Sequence, residues 1–400
     1  MITFCLRQPK PVSILLASLI MLSTHLSVTK ANNDIEDASN EALTKEQADI
    51  ITAELWDLHC REIELTRQPE MKSRKLKLGK VEMPFWYQVY GDKPETGRSL
   101  YISLHGGGGV PEEINDQQWE NQKHLYQISE GIYLVPRAPT NSWNMWHQAH
   151  VDKFLSRLIE NLIVLENVDP NRVYIMGYSA GGDGTYQLGP RMADRWAGVA
   201  VMAGHPNDSK PDNLRNTAFT LHMGAMDSAY NRNQMAETWE KLLGRLQEKD
   251  PNGYKHLVQI YQAKGHWMQG EDQIAIPWMT ENTRNVYPDR VIWLQDNVTH
   301  NRFYWLAVKG ESMLNRSQII AERNGQKINI KVATVSTVTV RLNDDMLDLE
   351  LPVEIHFRGQ LLFKGKVERR KVVIEKTILE RGDYKNIFSA EVTVTIPVEK

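Results

Sequence analysis

The sequence predicts the α/β class of fold, with a doubly wound, mostly parallel sheet followed by a C-terminal all-β domain. Two observations predict it. Between residues 85 and 261, short apolar runs alternate with segments long enough for helices, a pattern that favours a parallel sheet covered on both faces. From Asp289 onward, apolar runs follow one another with turn signals but no long helices between them, which is typical of a small β-sandwich.

The elements follow in chain order from these runs. Each predicted strand is rich in Val, Ile, Leu, Tyr or Phe, and right-handed crossovers place the connecting loops at the carboxyl edge of the parallel sheet. The predicted strands of the sheet are 85–90, 100–104, 132–135, 173–176, 199–202, 219–222 and 257–261, with helices over 151–166 and 234–247. The predicted strands of the β domain are 291–294, 303–308, 328–332, 335–342, 353–357 and 392–398, and residues 368–381 fit a helix or more strand equally.

The N-terminus has the pattern of a secretory signal peptide. Arg7 and Lys10 precede the apolar run 12–28, and a cleavage site is expected near Ala31. Cleavage there removes Arg7, Lys10 and Lys30 but no acidic residue, so the formal net charge changes from -3 to -6. We expect a secreted or periplasmic protein without a nucleic-acid partner. The alternative is an uncleaved signal anchor, the one case in which a membrane is a partner.

The domain organisation predicted from these patterns has four parts. They are a signal peptide (1–31), an N-terminal helical segment (32–82), an α/β catalytic domain (83–288) and a β-sandwich-like domain (289–400). A helix over 41–65 is predicted to brace the main domain, with Cys60 as a packed thiol. Because Cys60 is the sole cysteine after the signal peptide, no intrachain disulfide is expected, and no motif predicts a metal or a cofactor.

The motif with the most chemical information is the run RVYIMGYSAGGDG. An apolar strand at 173–176 leads into a G-x-S-x-G pattern, in which small residues permit a sharp turn into a helix. This is the context of a nucleophile elbow, with Ser179 at its apex. The turn exposes the Ser179 hydroxyl and directs a helix N-terminus at the site of attack.

A serine hydroxyl needs a base to take its proton and a carboxylate to orient that base. In folds that carry such an elbow, the chain order is serine, acid, histidine. Asp227 in LHMGAMD and His266 in KGHW satisfy this order, and each follows a predicted strand. Asp208, in the loop after the preceding strand, is the alternative acid.

Glycines after the strand 100–104 predict the oxyanion site. The segment HGGGG, which begins at His105, lets backbone N–H groups approach a developing oxyanion without obstruction by side chains. The Ala180 N–H is expected as one donor, and the N–H of Gly107 or Gly108 as the second.

Three tryptophans are candidate substrate contacts. Trp143 and Trp146 follow the strand 132–135 and would overhang the same edge of the sheet, where aromatic planes can stack on a sugar or hold an acyl group. Packing anchors for a long loop are an equal alternative. Trp267, beside the candidate base, is expected to form a wall of the pocket.

Together, RVYIMGYSAGGDG, HGGGG, LHMGAMD and KGHW resemble secreted α/β-hydrolase serine esterases, in particular the poly(3-hydroxybutyrate) depolymerase and feruloyl-esterase-like group. The resemblance covers about residues 83–285. It implies a carboxylic-ester hydrolase acting through an acyl-enzyme, with Ser179 as nucleophile, Asp227 as orienting acid, His266 as base and the loop after His105 as oxyanion site. The partner it implies is an ester substrate, carbohydrate-linked or polymeric.

Two other functions remain open at this point. A serine peptidase resembling the prolyl-oligopeptidase type also tends to have a second glycine after the elbow, as Gly182 is here. Such enzymes usually carry a large domain ahead of the catalytic one, whereas this chain has only 32–84. The other alternative is a catalytically inactive protein whose β domain binds a glycan or polymer, against which the complete set of candidate triad residues argues.

Overall fold

The computed structural model of the protein describes residues 41–310 and 313–397. The predicted signal peptide therefore lies outside the described residues. Within these ranges no helix combines the length and the apolar character needed to cross a bilayer.

A central sheet of eight strands organises the first two thirds of the described chain. The strand order is β2-β3-β5-β4-β6-β7-β8-β9. Strand β3 runs antiparallel to both of its neighbours, and the pairs from β5 onward are all parallel. The strands are β2 (Lys75–Leu78), β3 (Val81–Tyr90), β4 (Arg98–Leu104), β5 (Gly131–Pro136), β6 (Val168–Tyr178), β7 (Gly198–Met202), β8 (Ala218–Gly224) and β9 (His256–Tyr261).

Helices cover both faces of this sheet, as the sequence predicts. Alternate residues of a strand point to opposite faces, so Leu100 and Ile102 of β4 join one buried cluster and Tyr101 joins another. The first face packs against α3 (Ala149–Glu166), α4 (Ala180–Arg191) and α5 (Arg232–Lys249). The second packs against α2 (Glu112–Gln122) and α6 (Ala275–Thr280).

The C-terminal region consists of two sheets over a shared apolar core. One has the order β10-β13-β14-β16-β17 and the other β11-β12-β15-β19. Trp293 and Ile330 from the first sheet and Val340 and Val394 from the second belong to one buried cluster. The strands are β10 (Arg290–Leu294), β11 (Arg302–Phe303), β12 (Leu306–Ala307), β13 (Gln318–Asn324), β14 (Lys327–Ala333), β15 (Thr337–Leu342), β16 (Val353–Phe357), β17 (Gln360–Gly365), β18 (Arg369–Arg370) and β19 (Ala390–Thr395).

This region is strand-rich but not purely β. Residues 368–381, which periodicity left open between helix and strand, contain the helix α7 (Lys371–Arg381) after the short strand β18. Gly382, with φ 57°, ends this helix in the left-handed conformation that glycine adopts readily.

The N-terminal helix joins the two halves of the molecule. Helix α1 (Lys45–Ser73) begins with a capping box, in which the Thr44 side chain accepts from the Gln47 N–H and the Gln47 side chain accepts from the Thr44 N–H. Strand β1 (Ala42–Leu43) pairs with β18, and the helix packs on α7 and on α3. The predicted brace thus contacts the C-terminal region as well as the main sheet.

Helix α1 is longer than the predicted span 41–65 and starts four residues later. It continues through Pro69, and near its end the Glu70 carboxylate accepts two hydrogen bonds from the Arg157 guanidinium of α3. Tertiary contacts of this kind override the helix-breaking tendency of a proline, which is why local pattern ended the helix too early.

Candidate active site

Ser179 occupies the tight turn between β6 and α4. Its backbone angles are φ 57° and ψ −121°, a strained conformation that costs a non-glycine residue about 1–3 kcal/mol. Two glycines let the segments approach. A Cβ on Gly177 would lie 2.2 Å from the Gly181 carbonyl oxygen, and a Cβ on Gly181 would lie 2.0 Å from the Leu104 carbonyl oxygen. The sequence-predicted nucleophile elbow is therefore formed.

Three side chains from three loops meet at this turn. His266 Nε2 lies 2.9 Å from Ser179 Oγ, and His266 Nδ1 lies 2.7 Å from Asp227 Oδ2. The Asp227 side chain is only 2% exposed, whereas the imidazole is 43% exposed. Because a buried carboxylate accepts from Nδ1–H, the lone pair of Nε2 faces the serine hydroxyl. This is the arrangement that activates a serine.

The alternative acid Asp208 is not part of this chain of hydrogen bonds. Its carboxylate accepts from the Gln187 side chain at 3.2 Å and lies 3.5 Å from Arg316 Nη2. It is bonded to partners other than His266, so the geometry favours Asp227 as the acid of the triad.

Tyr178, which precedes the nucleophile, ties the elbow to the histidine loop. Its hydroxyl donates to the His266 carbonyl oxygen at 2.7 Å and accepts from the Met268 N–H at 3.0 Å. Its ring also packs against His266 and Trp267, with ring centroids 6.0 and 5.6 Å away. A single side chain thus connects the loop that carries His266 to the strand that leads to Ser179.

A second side chain, Asn115 of α2, organises the glycine loop. Asn115 Oδ1 accepts from the Gly108 N–H at 2.9 Å, and its amide nitrogen donates to the Gly108 carbonyl at 3.0 Å. The prediction that Gly108 serves as an oxyanion donor is wrong for this conformation, because that N–H is already bonded. Of the two predicted glycines, Gly107 remains, and among the described residues neither its N–H nor that of Ala180 has a hydrogen-bond partner.

The three candidate tryptophans divide into two groups. Trp143 is 65% exposed beside Gly108 and Gly109, and Trp267 is 52% exposed beside the imidazole. Trp146 is only 1% exposed, and its indole nitrogen donates to the His105 carbonyl oxygen at 3.0 Å. The prediction of Trp146 as a substrate contact is wrong. It is the packing anchor of the loop, because its ring fills the space beside the oxyanion segment.

His105, at the start of the glycine loop, holds that loop in place as a neutral imidazole. Its Nε2 accepts from the Ala138 N–H at 3.0 Å, which leaves Nδ1–H to donate to the Gly106 carbonyl at 2.6 Å. Burial lowers the pKa of His105 to about 3. The imidazole therefore holds this loop without adding a positive charge.

Two charged groups lie near the triad. Arg232 Nη1 is 3.8 Å from Asp227 Oδ1, on the side of the carboxylate away from the imidazole contact. The Asp183 carboxylate accepts from the His205 N–H at 2.6 Å, and burial raises its pKa.

Sequence reasoning missed Arg232, Asn115 and the role of Tyr178. Only Tyr178 had a usable signal, its fixed position within the G-x-S-x-G pattern.

Within the ranges that the structure describes, no group of three or more His, Cys, Asp or Glu side chains is placed to hold a metal ion.

The architecture around the triad decides the fold. The order of the eight strands, the single antiparallel strand β3 and the elbow after β6 occur together. The chain has the α/β-hydrolase fold. In this α/β-hydrolase domain the serine, acid and histidine follow β6, β8 and β9 respectively, so all three lie at the carboxyl edge of the sheet.

Similar proteins were found over parts of the chain, although no protein-family model matches it. NocK of Nocardia uniformis subsp. tsuyamanensis, provisionally named an esterase, is 33% identical over 117 residues, which are 27% of this chain and 33% of NocK. The bifunctional acetylxylan esterase/xylanase XynS20E of Neocallimastix patriciarum is 30% identical over 141 residues, 34% of this chain and 20% of that protein. A poly(3-hydroxybutyrate) depolymerase of Ralstonia pickettii is 29% identical over 140 residues, 30% of this chain and 28% of the depolymerase.

The chain thus spans a third or less of the length of each of these relatives. The resemblance to esterases of the α/β-hydrolase type, a poly(3-hydroxybutyrate) depolymerase among them, is confirmed. Among solved structures, a thermostable esterase is 22% identical with a TM-score of 0.43, covering 52% of this chain and 62% of its own.

Proposed function

We propose that this chain is a serine carboxylic-ester hydrolase that works through an acyl-enzyme. The observation that carries the proposal is the continuous set of hydrogen bonds from Asp227 through His266 to Ser179, formed at the apex of the elbow. The esterase names of the three partial relatives support the same reaction class.

In the first half of the reaction, His266 Nε2 takes the proton of the Ser179 hydroxyl as its oxygen attacks the ester carbonyl carbon. Asp227 holds the imidazole in the required orientation and stabilises the imidazolium that forms. The Ala180 and Gly107 N–H groups donate to the oxyanion of the tetrahedral intermediate. The imidazolium then protonates the leaving alcohol, and the acyl group remains on Ser179.

In the second half, a water molecule replaces the alcohol. His266 removes a proton from the water, which attacks the acyl carbon through a second tetrahedral intermediate. Collapse of that intermediate returns the proton to Ser179 and releases the acid. The imidazole is 43% exposed, so water reaches the base directly.

The test uses p-nitrophenyl acetate and the variant Ser179→Ala. Loss of the nucleophile should reduce kcat/KM by about 10³-fold or more while circular dichroism shows an unchanged fold. A fluorophosphonate probe should label the wild type at Ser179. Absence of labelling in folded protein would favour the inactive binding protein, and faster turnover of aminoacyl amides than of short-chain esters would favour the peptidase.

We further propose an ester substrate that is carbohydrate-linked or polymeric. The exposed rings of Trp143, beside Gly108 and Gly109, and of Trp267, next to His266 in the chain, offer flat surfaces on which a sugar or an acyl chain can lie. The names of the acetylxylan esterase/xylanase and of the depolymerase support this choice. A screen of acetyl, feruloyl, glucuronoyl and polyester substrates tests it, and a preference for small, unconjugated esters would contradict it.

We also propose export to the periplasm or the medium through the N-terminal signal pattern, with cleavage near Ala31. Intact-mass measurement of the protein from the exporting host should show a chain shortened by about thirty residues. A full-length chain in the membrane fraction would support the signal anchor instead.

A further inference from the structure

A large cleft lies where the N-terminal helix, the α/β-hydrolase domain and the C-terminal region meet. Its volume is about 760 Å³, and α1, α3, α7 and the loop before β11 contribute to its walls. None of the three triad residues lines it. We call it the junction cleft. Its basic lining residues are Arg67, Lys153, Arg157, Arg195, Arg302 and Arg381.

Two of the acids that line the junction cleft form close ion pairs, in part with other residues of the lining. Asp152 pairs with Arg191 and His300 at 3.1 and 2.8 Å. Glu160 pairs with Arg67 and with His59. With Glu380, the lining contains three acidic residues and six basic ones. Its formal charge is therefore +3.

Glu380 is the third acid, and it pairs with an arginine outside the lining. Its carboxylate is 2.7 Å from Arg341 Nη2 and 3.9 Å from Arg302 Nε. Lys153 is exposed on α3, lines the cleft and makes no ion pair among the described residues. Outside the lining, Glu70 pairs with Arg157 and Asp194 pairs with Arg381. The positive charge without a close carboxylate therefore lies at Lys153, Arg195 and Arg302, since the latter two are 3.9 Å from the acids they face.

Among the basic residues that line the cleft, Arg195 has the most donors without a partner. It is 2% exposed, and its Nε and Nη1 atoms have no hydrogen-bond partner in the described structure. The nearest carboxylate oxygen, on Asp383, lies 3.9 Å from Nη1 and is already bonded to Arg284 at 2.7 Å. A buried guanidinium with unused donors is costly unless a negative partner reaches it.

Two further arginines lie near Arg195, and their positive charges destabilise its protonated form. Burial, then the charges of Arg381 and Arg302, lower the pKa of Arg195. Burial and Arg381 likewise lower the pKa of Arg302 to about 10. An anion between these guanidinium groups would oppose both shifts, because each guanidinium would gain an opposite charge.

We propose that the junction cleft binds a phosphate group, either free phosphate or that of a phosphorylated small molecule, with Arg195 and Arg302 as its guanidinium ligands. Lys153 at the rim adds a third positive charge. Guanidinium groups match the geometry of phosphate oxygens with paired donors. The volume exceeds that of one phosphate ion, so the remainder of a small phosphorylated molecule also fits. This site is separate from the proposed ester hydrolysis and does not depend on it.

The experiment measures binding to the intact protein by isothermal titration calorimetry at constant ionic strength. The probes are inorganic phosphate and glucose 6-phosphate, with glucose and chloride as controls. The variants are Arg302→Gln and the exposed Lys153→Gln, which leaves the core intact. The matched control is Lys241→Gln, an exposed lysine on α5.

We expect phosphate or glucose 6-phosphate to bind the wild type and Lys241→Gln equally, while Arg302→Gln weakens binding about tenfold and Lys153→Gln about threefold. Stronger binding of glucose 6-phosphate than of phosphate would identify a phosphorylated molecule as the ligand. Binding to neither probe, or equal affinity in all four proteins, would overturn the proposal. Turnover of p-nitrophenyl acetate should be the same in all four, so failure here is distinguishable from failure of the esterase proposal.

Discussion

At the scale of single residues, Tyr178 shows how one hydroxyl positions the loop that carries His266. Its hydroxyl bonds both to the His266 carbonyl and to the Met268 N–H, and so connects the elbow to the loop that carries His266. Neither bond touches a reacting atom. Tyr178 is therefore a positioning residue, whose removal should alter how often the imidazole meets the serine rather than how the substrate binds.

Tyr178→Phe should lower kcat for p-nitrophenyl acetate about tenfold with little change in KM, because two buried polar groups lose their partner and the His266 loop loosens. The free energy of unfolding should fall by about 1–3 kcal/mol. Steady-state kinetics and urea unfolding measure both. Tyr186→Phe is the matched control, since the buried Tyr186 hydroxyl has no hydrogen-bond partner. Equal effects of the two substitutions on kcat would contradict the positioning role.

At the scale of elements, the loops at the carboxyl edge of the sheet are held by side chains from neighbouring helices and loops. Asn115 of α2 binds the Gly108 backbone and also donates to Asn141 Oδ1 at 3.0 Å. It thereby joins the oxyanion loop after β4 to the tryptophan-bearing loop after β5. This connection makes the two loops one unit.

Asn115→Ala should lower kcat about tenfold or more, because the Gly108 N–H loses its partner and the oxyanion donors lose their fixed direction. Asn121→Ala, on the exposed side of the same helix, is the control and should leave kcat unchanged. Kinetics with p-nitrophenyl acetate distinguish the two. Wild-type kcat in Asn115→Ala would show that the loop keeps its geometry without the clamp.

The same loop predicts opposite consequences for its two tryptophans. Trp146→Ala should reduce the free energy of unfolding by about 3–5 kcal/mol, because a fully buried ring and its bond to His105 are lost. Trp143→Ala should leave stability within about 0.5 kcal/mol but raise KM for bulky esters, because its ring is exposed beside the site. Urea unfolding and KM for two ester sizes provide the measurements. A large stability loss in Trp143→Ala would contradict this division.

At the scale of the whole molecule, buried neutral histidines set the response to acid. His222 lies between uncharged partners, the Thr220 hydroxyl at 2.8 Å and the Tyr261 hydroxyl at 3.0 Å, and burial lowers its pKa to about 3. The unfolded state, with an ordinary pKa of about 6.5, binds more protons between pH 6.5 and 3. Stability is therefore fully present above pH 6.5 and decreases as the pH falls through this window.

For a single histidine with this shift, the loss reaches about 2 kcal/mol at pH 5. His222→Gln should therefore show a decrease in unfolding free energy between pH 7 and pH 5 that is smaller than that of the wild type by about this amount. Urea unfolding at pH 7, 6 and 5 measures the difference. His124→Gln, at an exposed position, is the control and should keep the wild-type slope. Parallel curves for all three proteins would refute this origin of acid sensitivity.

The order of the elements, and the three side chains that the structure brings together at the elbow, could be predicted because they depend on local signals. Apolar runs mark strands that are buried on both faces, and the G-x-S-x-G pattern has few alternatives when only glycines fit the turn. Trp146 and Trp143 could not be distinguished, because both are aromatic residues of one loop and their burial depends on what folds beneath it. The length of α1 and the helix α7 escaped prediction because partners far along the chain stabilise them.

By itself, the sequence determined the α/β class of fold, the nucleophile elbow at Ser179 and the order of serine, acid and histidine, because strand periodicity and turn chemistry are encoded over a few adjacent residues. Only the tertiary structure decided which N–H groups remain free for an oxyanion. It alone also placed Tyr178 against His266 and brought Arg195 and Arg302 to one cleft. The reason is physical: hydrogen-bond partners and buried charges depend on residues separated by up to 187 positions in the chain, which no local pattern records.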